Sequence, residues 1–158
     1  MNNASNVGRT RVLSMRVLMA ALALAVSVVG VPGEALAGPA DDASYSVALL
    51  NETRWAHGLP ELTPDRELQI IANRQANRMA EAGYIFHTSD LGGRLSWGWW
   101  DWSENVGYGP SVGWVHNAFM NSSYHSSNIL HPSYNYVGVG VAYGADGKVY
   151  VAQVFGAW

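Results

Sequence analysis

The sequence predicts an α+β fold in which helices pack against a small, largely antiparallel sheet. Residues 44–58, 63–83 and 111–122 show the apolar spacing of helices, whereas the C-terminal part alternates residue by residue, which is typical of strands. In residues 137–143, bulky residues alternate with Gly138, Gly140 and an alanine, so this strand has one bulky face and one nearly bare face. A helix can approach the backbone closely on the bare face. These observations predict helices layered on a sheet.

The N-terminus has the three parts of a secretory signal peptide. Three arginines precede an apolar run over residues 17–31, and the Ala-Leu-Ala sequence at residues 35–37 has the form of a signal-peptidase site. The run is shorter than the roughly 20 residues that a membrane span needs. We therefore predict a signal peptide over residues 1–37, cleaved after Ala37, and a secreted, extracellular protein. An uncleaved N-terminal anchor is the alternative.

The composition after residue 37 narrows the class of protein. The remaining 121 residues hold six basic and eleven acidic side chains, a net charge of −5, and the chain has no cysteine. The length fits one domain with a single core, and the charge argues against nucleic-acid binding. Without thiolates, any metal site must use histidine and carboxylate. We predict a monomer with no membrane span in this part.

The first helix is predicted to follow a linker over residues 38–43, so that the domain covers residues 44–158. Asp42 or Ser44 is a candidate N-cap, and Gly58 marks the end of the helix. Long and apolar side chains recur between them at near-helical spacing, namely Val47, Leu50, Arg54 and Trp55.

The second helix is predicted to follow an extended connector over residues 59–62. Thr63 is the expected N-cap, with Pro64 as the first helical residue and Asp65 favourable to the helix dipole. Gly83 is the expected C-terminal stop. The predicted core face is mostly apolar and consists of Leu68, Ile71, Ala72, Gln75, Ala76, Met79 and Ala80.

The second half of the chain is predicted to contain one helix and two strands. Residues 88–103 form a loop of low regularity, and the third helix runs from Ser111 to about Ser122. The strands cover residues 137–143 and 148–155, joined by an Asp-Gly turn.

His87, Glu104 and His125 are the candidate site residues. Two neutral imidazoles can bind Zn²⁺ or Cu²⁺, although a tight zinc site normally has three or four protein ligands. Glu104 is either a third ligand or the acceptor that orients a histidine. Alternatively, the three side chains make structural hydrogen bonds that tie loops together. Serines near His125 lack a Gly-x-Ser-x-Gly elbow, so a nucleophilic triad fits poorly.

Four tryptophans crowd into the loop directly before Glu104: Trp97, Trp99, Trp100 and Trp102. They form either a hydrophobic plug that covers the core or an exposed surface for a lipid, a glycan or a protein partner.

The ordered motifs between residues 47 and 155 resemble those of the CAP superfamily, or SCP domain, in its bacterial form. This family includes cysteine-rich secretory proteins, venom antigen 5 and pathogenesis-related proteins. The matching segments are Leu50-Asn51-Glu52-Thr53-Arg54, Phe86-His87, Glu104-Asn105-Val106-Gly107, Phe119-Met120-Asn121-Ser122 leading to His125, Asn128-Ile129-Leu130, Val137-Gly138-Val139-Gly140 and Val154-Phe155.

The resemblance implies an α-β-α sandwich with a central cleft lined by His87, Glu104 and His125. Many members carry a second glutamate where this chain has Ser122, the fourth cleft position. Metal binding through the two histidines, and sterol or fatty-acid binding in some members, are implied in the same way.

Together these inferences predict a secreted binding module. Its cleft holds zinc or another divalent metal at His87 and His125, and a lipid, sterol or glycan ligand binds at the tryptophan loop. One alternative is a metal-dependent or His/Glu hydrolase with Glu104, His87 and His125 as candidate catalytic residues. Another is a cell-surface interaction protein. Binding is favoured over catalysis because a mechanism with two carboxylates lacks the second one.

Overall fold

Helices cover both faces of a four-stranded sheet in a computed structural model of the chain. The structure describes Met1 and residues 38–158. The rest of the predicted signal peptide and its cleavage site lie outside the described residues. In chain order the main elements are α1 (Pro39–Ala56), β1 (Thr63–Pro64), α2 (Arg66–Ala82), β2 (Asp101–Gly109), α3 (Val112–Met120), α4 (Ser123–Ile129), β3 (Tyr136–Tyr143) and β4 (Val149–Ala157).

The sheet has the strand order β1-β3-β4-β2, so β2 is an edge strand. β1 pairs parallel with β3, and the other two pairings are antiparallel. Glu104 of β2 lies opposite Val154, and Asn105 lies opposite Gln153. The predicted largely antiparallel sheet is thus confirmed.

Two apolar cores lie on the two faces of the sheet, which gives the α-β-α sandwich. On one face α2 packs through Leu68, Ala72 and Met79 against Val106 and Val154. On the other face α1, α3 and α4 pack against the sheet, with a core that includes Leu50, Val115, Phe119, Ile129, Val139, Val151 and Phe155. The helix that carries His125 therefore lies on the opposite side of the sheet from α2.

The bare face of β3 explains how closely α2 approaches the sheet. A Cβ atom on Gly138 would collide with the backbone of Leu68, and one on Gly140 would collide with the carbonyl group of Ala72. The glycines therefore permit direct contact between helix backbone and strand backbone, as the alternating sequence predicts.

Two helix starts differ from the sequence-based expectation. α1 begins at Pro39, so residues 39–43 are its first turn rather than a linker; Pro at the first position and the acidic side chains of that turn favour this start. α2 is capped by Asp65, whose carboxylate accepts from Glu67 N at 2.8 Å. Thr63 cannot serve as the cap because it and Pro64 are paired with β3 as β1. Gly83 ends α2 in the left-handed conformation, as predicted.

Two elements near the candidate site were not predicted. β2 occupies residues 101–109, part of which was expected to be irregular. The third helix ends at Met120, and α4 follows after a short break. β4 extends to Ala157, two residues beyond the predicted strand end. Among residues 38–158, no helix is long and apolar enough to cross a membrane.

Candidate functional site

Glu104 lies on β2 with a buried carboxylate that accepts three hydrogen bonds. Oε2 accepts from His87 Nδ1 at 2.8 Å and from the Thr88 backbone N–H at 2.8 Å. Oε1 accepts from Thr88 Oγ1 at 2.6 Å. These donors replace the water that a buried carboxylate loses. Both oxygens are engaged, so Glu104 orients His87 rather than facing an open ligand position.

His87 follows α2 on a loop that leaves most of its ring in solvent. Its side chain is 62% exposed, whereas that of Glu104 is 3% exposed. A hydrogen bond to α2 holds this loop in place, because the side-chain amide of Gln75 donates to the Phe86 carbonyl group. The ring is therefore held at one nitrogen, Nδ1, and open at the other.

His125 lies in the first turn of α4 and is held in a comparable way. Its Nδ1 lies 2.9 Å from Ser122 Oγ, and its ring packs on Phe119 with 4.8 Å between ring centroids. Ser122 is the N-cap residue of α4, but its hydroxyl makes no cap hydrogen bond and meets His125 instead. Ser122, the residue at the fourth position of the family's site, thus contacts His125.

The two histidines share one electrostatic environment. Burial lowers the pKa of His125 below its ordinary value, and the nearby His87 lowers it further. The structure thus places His87 near His125, with Glu104 bonded to His87 and Ser122 bonded to His125.

The Glu-Asn pair on β2 explains how residues from opposite faces of the sheet meet. Neighbouring residues of a strand point to opposite faces. Glu104 faces the α2 side and holds His87, whereas Asn105 faces the other side and donates to the His125 carbonyl group at 3.1 Å. The edge strand β2 therefore links the loop of His87 on one face of the sheet to the helix of His125 on the other.

Asn105 belongs to a buried amide network that fixes α4 on the sheet. Asn128 Nδ2 donates to Asn105 Oδ1 at 2.9 Å, and Asn105 Nδ2 also contacts Gln153 Oε1 at 3.2 Å. The two asparagines therefore have a structural role.

The donor set of the cleft has two candidate ligands. Among residues 38–158, no three histidine or carboxylate side chains are grouped so that they could hold a metal ion. Glu104 is turned away by its three hydrogen bonds, which leaves Nε2 of His87 and Nε2 of His125. The residues therefore fit a site with two imidazole ligands and do not fit a three-ligand site.

A serine–histidine contact exists in the cleft but lacks the third member of a triad. Ser122 Oγ meets His125 at Nδ1, and within residues 38–158 no carboxylate bonds to the other ring nitrogen. In a triad the base is oriented by a third group. The geometry thus gives no support to nucleophilic catalysis by Ser122.

The tryptophan loop divides into one buried and three exposed side chains. Trp99 is buried, donates from Nε1 to Glu67 Oε2 at 2.9 Å and packs edge-on against Tyr136. It belongs to the core, so it is removed from the candidate ligand surface. The other three are exposed by 97% for Trp97, 62% for Trp100 and 40% for Trp102.

Trp158 adds a further exposed indole next to this loop. It packs against Trp99 with 5.1 Å between ring centroids and remains 57% exposed. Trp97, Trp100, Trp102 and Trp158 are called the tryptophan surface below. Trp158 could not be assigned from the sequence because the pairing of β2 with β4 brings the C-terminus beside the loop.

Two other residues that position the site have no obvious sequence signal. Thr88 supplies two of the three donors to Glu104, although nothing in the sequence distinguishes it from an ordinary loop residue. Arg54 is fully buried and donates to the carbonyl groups of Ile129 and Tyr134, which anchors the end of α4. Elsewhere, His116 of α3 is buried against Thr53, with Nε2 to Oγ1 at 2.9 Å.

Comparison with known proteins identifies what the chain is similar to. The family model described as CAP, the cysteine-rich secretory protein family, matches residues 47–155. The protein YkwD of Bacillus subtilis (strain 168) is 30% identical over 118 residues, covering 70% of this chain and 45% of YkwD. The chain thus spans less than half the length of this relative.

Several solved structures have a similar fold. An outer surface protein from Borrelia burgdorferi has a TM-score of 0.68 at 20% identity, covering 76% of this chain and 95% of its own. An extracellular protein with an SCP domain from Bacillus anthracis has a TM-score of 0.67 at 23% identity, covering 76% of this chain and 41% of its own. A cysteine-rich secretory protein from Staphylococcus aureus has a TM-score of 0.66 at 23% identity, covering 78% of this chain and 40% of its own.

Proposed function

The chain belongs to the CAP family of cysteine-rich secretory proteins, and on this premise we propose that it is an extracellular binding module whose cleft holds a divalent metal between His87 and His125. An extracellular location is supported by the predicted signal peptide, cleaved after Ala37. The names of the structural neighbours, which include an outer surface protein and an extracellular protein, agree with it.

The observation that carries the metal proposal is the occupation of both Nδ1 atoms. An ionised carboxylate only accepts, so His87 Nδ1 bears the proton toward Glu104 and Nε2 bears the lone pair. Ser122 Oγ can accept from His125 Nδ1 in the same way. Neither Nε2 atom has a hydrogen-bond partner within residues 38–158. Each ring is therefore oriented by the hydrogen bond at Nδ1, and its Nε2 atom is free to ligate a metal ion.

Zn²⁺ or Cu²⁺ suits this donor set, with water completing the coordination. When bound, such an ion supplies Lewis acidity and makes a bound water more acidic. The chain's own residues orient the two rings. The lowered pKa of His125 extends toward acid the pH range in which that imidazole is neutral and so able to ligate.

Calorimetric titration of the purified protein with zinc chloride tests the proposal. One site is expected, and its affinity should fall in both His87→Ala and His125→Ala by more than the roughly 10- to 100-fold typical of an outer-shell change. His57→Ala is the matched control, because His57 is exposed and bonds at Nδ1 to its own helix. Equal heats in all four proteins would refute the metal site.

The tryptophan surface favours a second binding function, for a lipid, sterol or glycan ligand. The loop exposes two indoles, the start of β2 a third and the C-terminus a fourth. Burying these apolar rings against a ligand is favourable, and their flat faces can stack on a ring system. Trp100→Ser should weaken ligand binding measured by indole fluorescence. Trp55→Ser, which removes a 77% exposed indole from α1, should leave it unchanged. Equal binding by both variants would contradict this function.

A further inference from the structure

A groove of about 640 Å³ runs along the outer side of α2, and we propose that it binds an acidic polysaccharide. Four arginines line it, three from α2 and one from the loop that follows. The apolar lining comes from two neighbouring isoleucines of the same helix. These six residues are Arg66, Arg74, Arg78, Arg94, Ile70 and Ile71. Neither His87 nor His125 lines the groove, although its lining includes Thr88, which donates to Glu104.

The arginines account for nearly all the positive charge of a domain that is acidic on balance. Residues 38–158 contain six basic side chains, four of which line the groove. Of the other two, Arg54 is fully buried and Lys148 pairs with Asp146 at 2.9 Å. Every exposed and unpaired basic side chain of these residues therefore lies at this one groove.

The four guanidinium groups have no carboxylate partner within residues 38–158. Arg78 lies over the Phe86 ring at 5.1 Å, and Arg94 Nε donates to the Ser89 carbonyl group at 3.0 Å. These contacts leave the charges themselves uncompensated. Arginine presents a planar set of donors that matches carboxylate, sulfate or phosphate groups, so an anionic ligand fits the groove.

Two carboxylates also line the groove, but they are engaged with neutral donors. Asp65 caps α2 through two backbone N–H groups. Glu67 accepts from Ser96 N at 2.7 Å, from Ser96 Oγ at 2.8 Å and from Trp99 Nε1 at 2.9 Å. The two carboxylates therefore hold the backbone and the loop that surround the groove. With four arginines against two carboxylates, the net charge of the lining is positive.

The positions of the arginines do not serve the stability of α2. Arg74 and Arg78 are like charges at i and i+4, which repel each other on a helix surface. Arg66 is the first residue of α2, where the helix dipole disfavours a positive charge. An anionic ligand would neutralise the arginines and so remove the repulsion that they cause on α2.

The span of the arginines distinguishes a polymer from a small anion. Arg66 and Arg78 are twelve positions apart, so their Cα atoms are separated by about 18 Å along the helix. A single sulfate or phosphate cannot bridge that distance, whereas a chain with a charge on each repeat can contact several arginines in turn.

The segment bonded to one lining residue favours a sugar polymer. Glu67, which lines the groove, accepts from Ser96, and the next residue is Trp97, the most exposed tryptophan among residues 38–158. An exposed indole next to this segment can stack on a sugar ring while the arginines hold its acid groups. The choice of a sugar rests on the proposed tryptophan surface, whereas the choice of an anion does not.

The test is a calorimetric titration of the purified protein with a galacturonate oligosaccharide, performed at two salt concentrations. Arg74→Gln and Arg78→Gln should each weaken binding about five- to tenfold and reduce its salt dependence, since each removes one charge-assisted contact. Lys148→Gln removes an equal charge outside the groove and should bind as the native protein does. Circular dichroism checks that the arginine variants are folded.

The outcomes separate this proposal from those above. Unchanged binding in both arginine variants would overturn it, even if Trp97→Ser weakened binding. A neutral chitin oligosaccharide of the same length should bind far more weakly. Equal, arginine-dependent binding of single-stranded DNA or of anionic vesicles would overturn the assignment to a polysaccharide. His87→Ala should leave the oligosaccharide affinity unchanged, so failure of the metal site is recognised independently.

Discussion

Replacement of Glu104 by glutamine tests how the cleft is oriented. The carboxylate accepts from His87 Nδ1, from the Thr88 backbone N–H and from Thr88 Oγ1. Glutamine keeps one acceptor oxygen and turns an NH₂ group toward one of these donors. One buried donor then loses its acceptor, which costs about 1–3 kcal/mol of folding free energy. The His87 ring also loses its charged anchor, so zinc affinity should fall about 10- to 100-fold.

The assay has two readouts. Urea unfolding measures the loss of stability, and calorimetric titration with zinc measures the loss of affinity. Glu81→Gln is the control, because it removes the same charge from an exposed position on α2 and should change neither quantity by much. Native zinc affinity in a folded Glu104→Gln protein would refute the idea that Glu104 orients His87.

Three further predictions concern the fold that supports the site. Arg54→Met should lower the free energy of unfolding in urea by about 3–5 kcal/mol, because buried carbonyl groups lose their donors; a change below about 1 kcal/mol, the size of a surface effect, would contradict this. Gly140→Ala should lower the melting temperature, with a cost of about 3 kcal/mol, because its Cβ collides with the Ala72 carbonyl group; a native melting temperature would show that α2 can move away. Burial lowers the pKa of His116, so stability should fall as the pH drops from its unfolded pKa of about 6.5 toward the lower folded pKa. Urea unfolding at several pH values should show a shallower acid loss in His116→Gln, and equal slopes would refute that assignment.

The elements with strong periodicity could be predicted from the sequence. The apolar face of α2 and its glycine stop are local signals, and both occur where expected. The glycines of β3 predicted a close helix–strand contact, which the structure has at Leu68 and Ala72. Here the local pattern and the tertiary packing require the same residues.

β2 could not be recognised because its residues do not alternate between apolar and polar side chains. Glu104 and Asn105 are both polar and both buried, and the Phe119 ring occupies the space that a side chain at Gly107 would need. Only pairing with β4 makes this segment a strand. The proximity of His87 to His125 was out of reach for the same reason, although the family resemblance grouped them.

The buried polar contacts were also hidden from sequence reasoning. Arg54 has helical spacing on α1 but is fully buried, because it holds carbonyl groups at the end of α4 and beyond. Trp99 is the tryptophan of its loop that faces the core, since Glu67 supplies an acceptor for its indole N–H. In both cases the deciding partner is distant in the chain, by 75 positions between Arg54 and Ile129 and by 32 between Glu67 and Trp99.

Nitrogen NMR of the histidine rings is the most direct test of the two-imidazole cleft. Spectra of the ¹⁵N-labelled protein are recorded with and without zinc. The Nε2 resonances of His87 and His125 should shift together, while Nδ1 of each ring keeps its proton toward Glu104 or Ser122. Coordination through Nδ1, a shift confined to His57, His116 or His131, or no shift at all would contradict the proposed site.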